Sequence, residues 1–525
     1  MTALTFYGGV DEVGGTKIVL EDKGTTVLDE WGKSYDRYKR YYNGFLTPRT
    51  FGEYLRLGFI PWLPGIYRSK FEEEAGEKQH SNPSVQAVLV SHSHTDHCGY
   101  ISFLDPIIPV FCSSQTHDSI RAYEDVSGLT LDTEITSYRE YMDGDGLPRQ
   151  HRVILGNHQL VKTGDLKKPY EIRRASKKDM EKHPERVPTH EATLIYNKIK
   201  SDIERTFITR NKFSVGSIEF ELFPVDHSAF DACGQIIHTS DATIAYTGDI
   251  RFHGLYGERS LRFVERLKEE DAIDILITDG TRINEEITFP EAEIKTQLEK
   301  AIKGTNGLVS VIFSPRDLCR LHSIREAVEE TGREFVTSPK SALLWMYQPI
   351  RNTLKYSFGY DISPGNRICV YERRSESSTR SNRSIASYKA IEEIGNEEIK
   401  MHPEKYVVHL SFYDFPELLD FSPPPGSRLV ISSSEPFDEE SELEESKITN
   451  WCTMFGMPYC HIHSSGHMSG PDFRWMVKEV KPKTILPIHA SRQNRLLMRE
   501  MFPDRTKLLD VGEKFEIKNG LLNYM

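Results

Sequence analysis

Apolar runs in this chain repeatedly stop at a histidine or an aspartate. Residues 87–90 are apolar and lead directly into His92, Ser93, His94, Thr95, Asp96 and His97. Residues 212–225 alternate apolar with polar, the period of a half-buried strand, and end at Asp226 and His227. Two runs at 234–238 and 243–246 read as a hairpin whose second strand ends at Gly248 and Asp249. Residues 273–278 end at Asp279, and 484–488 end at His489. Near the N-terminus, strands at 4–7, 17–21 and 25–28 surround a glycine turn, and the last stops at Asp29. Polar groups at neighbouring strand ends converge on one sheet edge, where sites are commonly built.

From about Pro290 the texture changes. A helix at 290–303, a strand at 307–313, a helix at 315–331, a strand at 334–337 and a helix at 341–347 follow in turn. Strands at 406–412 and 428–432 come later. This alternation predicts a parallel sheet with helices on its faces. It carries no GxGxxG loop, so a dinucleotide site is not expected. After residue 456 come a strand at 459–463, a helix at 472–480 and strands at 484–488, 507–511 and 514–517. The α/β pattern therefore divides into three stretches: 1–290, 291–455 and 456–525. Segments 140–215 and 371–405 are polar and weakly patterned; the first contains a basic stretch at 162–178, the second a Ser/Arg-rich loop.

Composition narrows the class. The 525 residues are 38% hydrophobic and 27% charged, as in an ordinary globular protein. No apolar run approaches the ~20 residues of a membrane helix, and the N-terminus lacks the basic-then-apolar pattern of a signal peptide. Seven scattered cysteines with no CxxC pair argue against a zinc ribbon or a disulfide framework and for a cytoplasmic setting. The net charge of −12 is the wrong sign for a general nucleic-acid coat. A polyanionic partner would need local basic surface and metal ions.

The segment from His92 to His97 carries the chemistry. Its three imidazoles and one carboxylate are too crowded for one tetrahedral ion and suit two. Added to His227, Asp249 and His489, they allow one metal on His92, His94 and His227 and a second on Asp96, His97 and His489, with Asp249 bridging. Nitrogen and oxygen ligands fit Zn²⁺ first and Mn²⁺ second. A pair of such ions, about 3.5–4 Å apart, activates a shared water and clamps a displacement. Asp29 stands as an outer residue supporting a ligand histidine, or as a turn aspartate.

With these residues in place, the sequence resembles the metallo-β-lactamase superfamily, whose His-x-His-x-Asp-His signature is met at 92–97. GGVDEVGG at 8–15, TGDIRF at 247–252, ITDGT at 277–281, SGHMS at 465–469 and PIHAS at 487–491 are similar to the β-CASP nucleases, in the ribonuclease J branch. The resemblance implies an αββα metallo-β-lactamase sandwich with an inserted, Rossmann-like β-CASP domain. It makes Asp279, His467 and His489 the family's motifs A, B and C, with a motif C histidine as in the RNA-cutting branch. It implies catalytic roles for Asp96, Asp279 and His467, and a phosphate pocket at Ser433, Ser434 and Ser465, which His463 could reach from its position just before the Ser-Gly pair. Arg320, Arg373, Arg374 and the lysines of 162–178 would guide the strand. The stop at Met525 soon after His489 matches the shorter, archaeal-type form. Glycine at 280 departs from the family's usual serine.

The function so implied is metal-dependent RNA hydrolysis, 5′-to-3′ exonucleolytic with endonuclease action also open. The expected partner is single-stranded RNA with a 5′-monophosphate end. No membrane partner is expected, and a homodimer is among the allowed assemblies. The alternative is hydrolysis of a small ester, lactam or lactone by the same metals. An inactive scaffold is disfavoured, because all seven ligand positions are filled.

Overall fold

The computed structural model describes the chain except for residues 43–45, 75–83, 127–133, 141–157, 162–170, 175–200, 374–387, 434–438 and 525. Three large sheets organise the described residues. In the first, eight-stranded sheet, Thr2–Gly8, Lys17–Asp22 and Thr25–Trp31 form an antiparallel centre. Thr25–Trp31 then runs parallel to Ala87–Leu89, and that strand parallel to Val110–Cys112. The second sheet has six strands in the order Lys212–Val215, Ile218–Pro224, Cys233–His238, Thr243–Tyr246, Ile275–Asp279 and Thr484–Ile488.

These two sheets face each other across one apolar core. Leu4, Phe6, Ile18 and Leu89 of the first meet Phe220, Ile237, Ile277 and Leu486 of the second. Each such side chain contributes about 1.5–3 kcal/mol by leaving water. The outer face of the second sheet is closed by Gly257–Lys268, Gly470–Val480 and Arg492–Met501, through Val264, Phe473, Val477 and Met498. The outer face of the first is covered by Phe51, Tyr54, Tyr100 and Phe103, packed on Leu28 and Val88. The result is the expected αββα sandwich.

The third sheet is built from seven strands, from Val309–Ile312 to Tyr459–His461 in the chain, and its paired neighbours are parallel. Ile368–Tyr371 and Tyr406–His409 are buried along their whole length. Continuous apolar runs of this kind mark a parallel sheet covered on both sides. Leu321, Ile324 and Trp345 cover one face; Phe415, Leu418 and Phe421 cover the other.

Three expectations change. Residues 212–225 are a hairpin, because the chain reverses at Gly216, whose φ of +54° suits a residue without Cβ. Residues 507–511 form no strand; the parallel contact with Ile485 is a single bridge at Thr506. Tyr459–His461 pairs with Arg428–Ile431 in the third sheet, so the chain returns to the sandwich after His461. We propose the inserted domain as the stretch that carries this third sheet.

Register sets the site. Ile275–Asp279 pairs in parallel with Thr484–Ile488, with Asp279 opposite Ile488. Asp279 and His489 therefore leave adjacent strands at the same edge. Thr243–Tyr246 is parallel on the other side, with Tyr246 opposite Ile277, which brings Asp249 to that edge as well.

Candidate metal centre

The ligand residues predicted from the sequence meet around one atom. Asp249 Oδ2 lies 3.7 Å from His92 Nε2, 3.2 Å from His97 Nε2, 3.6 Å from His227 Nε2 and 3.6 Å from His489 Nε2. His94 faces the same space through its other nitrogen: Nδ1 is 3.2 Å from both His92 Nε2 and His227 Nε2. Asp96 Oδ2 is 3.1 Å from His489 Nε2 and 3.8 Å from His97 Nε2. His92, His94 and His227 thus form one group, and Asp96, His97 and His489 another, each with ligand atoms within 4.8 Å of one another.

The donor chemistry fits divalent ions. Both ring nitrogens of His97 are buried without a hydrogen-bond partner among the described residues. Such groups are costly unless something coordinates them. Around the ring, the rear nitrogens are held. His227 Nδ1–H donates to Gly466 O at 2.6 Å, His92 Nδ1 lies 2.9 Å from Ser91 Oγ, and His489 Nδ1 lies 2.9 Å from Thr281 Oγ1. Fixing Nδ1 in this way presents Nε2 as a ligand.

Behind His97 the structure puts Glu30, with Oε2 3.6 Å from Nδ1 and Oε1 accepting from Ser91 N–H at 3.0 Å. Asp29, the residue expected in the supporting role, instead accepts from Gln235 Nε2 at 2.9 Å. The alternation of the strand would turn consecutive side chains to opposite faces. Glu30 overrides it with a φ of +62°, a conformation that costs an L-residue about 1–3 kcal/mol and clusters at functional sites. His489 is held similarly at φ +50°.

Burial and charge set the protonation of the cluster. Desolvation holds His92 and His227 well below their ordinary pKa and takes His94 to about 4. Burial also lowers His97 and His489, but Asp249 and Asp96 outweigh it, leaving His97 well above its usual value and His489 at about 9. Burial raises the Asp29 carboxyl to about 8, helped by Glu30. Asp96 and Asp249 are held below the usual carboxylate range, because the neighbouring imidazoles outweigh desolvation.

His467 borders this ring. Its Nδ1 is 2.8 Å from Asp279 Oδ2, and it keeps 18% of its side chain exposed, against 1–3% for His227 and His489. The other carboxylate oxygen, Asp279 Oδ1, accepts from Thr281 N–H at 2.8 Å and Thr281 Oγ–H at 2.6 Å. Glycine at 280 has a packing reason: a Cβ there would sit 2.6 Å from Met498 Sδ and 2.9 Å from the Ala490 Cβ.

The expected phosphate residues are placed less uniformly. Ser465 Oγ accepts from His467 N–H at 3.2 Å, and Ser433 is half-buried after Arg428–Ile431. Ser434 lies outside the described residues, as do Arg374 and most of 162–178. His463 Nδ1 accepts from Arg320 at 3.2 Å; burial first, then Arg320, takes its pKa to about 3. Arg320 is fully buried on Glu291 and so does not present its charge to a strand. Arg373 pairs with Asp414 and Glu417.

Ribonuclease J of Sinorhizobium meliloti is 22% identical to this chain over 316 residues, which are 57% of this chain and 51% of that protein. Ribonuclease J of Pyrococcus abyssi is 23% identical over 512 residues, 93% of this chain and 90% of that protein. Over 93% of its length, then, the chain is similar to a protein named ribonuclease J. Ribonuclease J of Thermus thermophilus is 21% identical, matching 59% of this chain. The match spans about half the length of the S. meliloti and T. thermophilus proteins, 51% and 54%. The fold is shared with a crystallised protein of unknown function from Enterococcus faecalis V583, with TM-score 0.64, 19% identity and coverage of 98% and 99% of the two chains. No family model matches the chain.

Glu30, Thr281 and Gly466 escaped the sequence reading. Glu30 was masked by the aspartate before it, and only a positive φ reveals it. Thr281 acts through its hydroxyl and Gly466 through its carbonyl, contacts that leave no spacing signature.

Proposed function

We propose that this chain is a metal-dependent ribonuclease that hydrolyses RNA phosphodiesters. One observation carries the reading: four imidazoles surround Asp249 Oδ2, His94 and Asp96 stand beside them, and the His467–Asp279 pair lies at their edge. The similarity to proteins named ribonuclease J supports RNA as the substrate and does not favour a small ester, lactam or lactone.

Two divalent ions, zinc first and manganese second by donor chemistry, would be held by His92, His94 and His227 and by Asp96, His97 and His489 with Asp249 shared, supplying Lewis acidity that activates water and neutralises phosphate charge. The chain's own residues do the rest. Asp279, anchored by Thr281, orients His467 through Nδ1. A protonated His467 then has Nε2–H available for the departing 3′ oxygen, which leaves a 5′ phosphate on the product. Asp96 contributes a fixed negative charge beside His489 and His97. Ser433 and Ser465 offer short hydroxyl donors for an RNA phosphate, the chemistry that would favour a 5′-monophosphate end. In this reading the enzyme degrades single-stranded RNA 5′ to 3′, with internal cleavage open to the same centre.

Incubation with 5′-labelled monophosphate and triphosphate RNA, with Mn²⁺ or Zn²⁺ and after chelation, tests this. Metal-dependent cleavage, faster on the monophosphate, is expected. Absence of metal-dependent cleavage on both RNAs would remove the reading.

A further inference from the structure

Beside the ligand loop, between the sandwich and the third-sheet region, lies an open cleft. Its walls come from both parts of the chain. Gln115, Asp118 and Tyr123 belong to the helix Ser114–Val126, Phe230 follows His227, and Arg316 and Leu344 come from the third-sheet region. Ser93, which sits between the ligands His92 and His94, also lines it.

Arg316 is the link between cavity and metal centre. Its guanidinium carbon lies 3.1 Å over the Tyr123 ring, and Nη1 is 3.5 Å from Ser93 O. Arg251 and Arg320 are neutralised by buried carboxylates. Arg316 makes no salt bridge among the described residues and stays half-buried. A cation stacked on an aromatic ring and held in no salt bridge among the described residues is the arrangement that single-stranded nucleic-acid grooves use.

The remaining walls have the character of a base site rather than a backbone groove. Phe230 and Leu344 are apolar. Gln115 is exposed and offers both a donor and an acceptor. Asp118, 39% exposed, offers acceptors only. A carboxylate repels a phosphate but accepts from an exocyclic amino group, as on adenine, cytosine or guanine and not uracil.

We propose that this cavity is a base-binding subsite for the RNA substrate, preferring bases with an exocyclic amino group, with Arg316 and Tyr123 as its stacking and phosphate-binding edge. The proposal rests on the ribonuclease reading and deepens it. Tyr123 and Arg316 hold one nucleotide close to the ligand loop, while Gln115 and Asp118 read its edge.

Homopolymeric oligoribonucleotides make the test independent of which nucleotide enters the cavity. The wild type is expected to show kcat/KM for oligo(A) and oligo(C) roughly tenfold above oligo(U). Gln115→Ala with Asp118→Ala should collapse that ratio toward one. Tyr123→Ala should lower kcat/KM roughly 5- to 100-fold, mainly through KM, while Tyr123→Phe retains the wild-type value. Thermal melts of each variant separate unfolding from lost binding. Absence of RNA cleavage by the wild type overturns the ribonuclease reading and the subsite together. Normal cleavage with a base preference unmoved by Gln115→Ala/Asp118→Ala, or a KM unmoved by Tyr123→Ala, overturns the subsite alone.

Discussion

Two buried charge clusters sit close together in this molecule and are built on opposite principles. In one, Arg251 Nε meets Asp226 Oδ2 at 3.1 Å and Arg320 Nε meets Glu291 Oε1 at 2.8 Å, with Arg251 Nη1 3.7 Å from Glu291. Each charge has an opposite charge beside it. Arg320 also donates to the Ser432 and Ser464 carbonyls, at 2.7 and 3.1 Å, and Arg251 donates to Ser465 O at 3.1 Å. In the other cluster, imidazoles and carboxylates crowd one space, and His97 has no hydrogen-bond partner on either nitrogen among the described residues. A closed set of opposite charges fixes how segments pack. A set rich in lone pairs is organised around something that supplies positive charge. Burial and charge density are common to both; donor balance is what separates a brace from a ligand site.

That distinction can be broken by substitution, and the largest effect belongs to the open cluster. Asp249→Ala should lower RNA cleavage roughly a thousandfold or more, since it removes the carboxylate that the two proposed metals would share. It should also release metal, read by elemental analysis of the purified protein. The fold should survive, because His97 keeps Glu30 and His489 keeps Asp96 as carboxylate neighbours.

The closed cluster should respond in the opposite way. Arg320→Met should destabilise the protein by about 3–5 kcal/mol in denaturant unfolding, because Glu291 is left buried without its main partner. Adding Glu291→Leu should recover part of that loss. Metal content of both variants should match the wild type. A loss of metal in Arg320→Met would mean that the two clusters are one system.

Glu30 tests the boundary between them. Glu30→Gln should weaken metal binding about 10- to 100-fold in chelator competition, the usual cost of losing a partner behind a ligand histidine. Asp29→Asn should cost less, since that side chain faces Gln235. Equal or reversed effects would return the supporting role to Asp29.

Lys17 is a third kind of buried charge. It is fully buried, its Nζ donates to Gly15 O at 2.9 Å, and burial takes its pKa from 10.5 to about 7, with Glu12 opposing. The folded pKa lies below the unfolded one, so the unfolded chain binds more protons between these values. Stability therefore rises with pH across that window, by up to about 1.4 kcal/mol per unit from this group. Unfolding curves from pH 7 to 10 should show a shallower slope for Lys17→Met than for the wild type.

Much of this was legible in the sequence, for identifiable reasons. Ligands at strand ends leave a period-2 pattern that stops at a metal-binding residue, so His92, His227, Asp249 and His489 stand out. The parallel third sheet announces itself through alternating strands and helices, such as 307–313, 315–331 and 334–337. Supporting contacts leave no such trace. Glu30 depends on one left-handed residue, Gly280 on the space beside Met498, and Arg316 on where two regions meet. Arg320 shows the converse error, because a charge in sequence does not say whether a partner awaits it in the interior.

The central claim is that the buried cluster holds the metals and His467 with Asp279 completes the cut. His467→Ala, measured on one sample for bound metal and for cleavage of 5′-labelled RNA, tests it most directly. The account predicts wild-type metal content with cleavage lost. Metal lost along with cleavage, or cleavage retained at the wild-type rate, would contradict it.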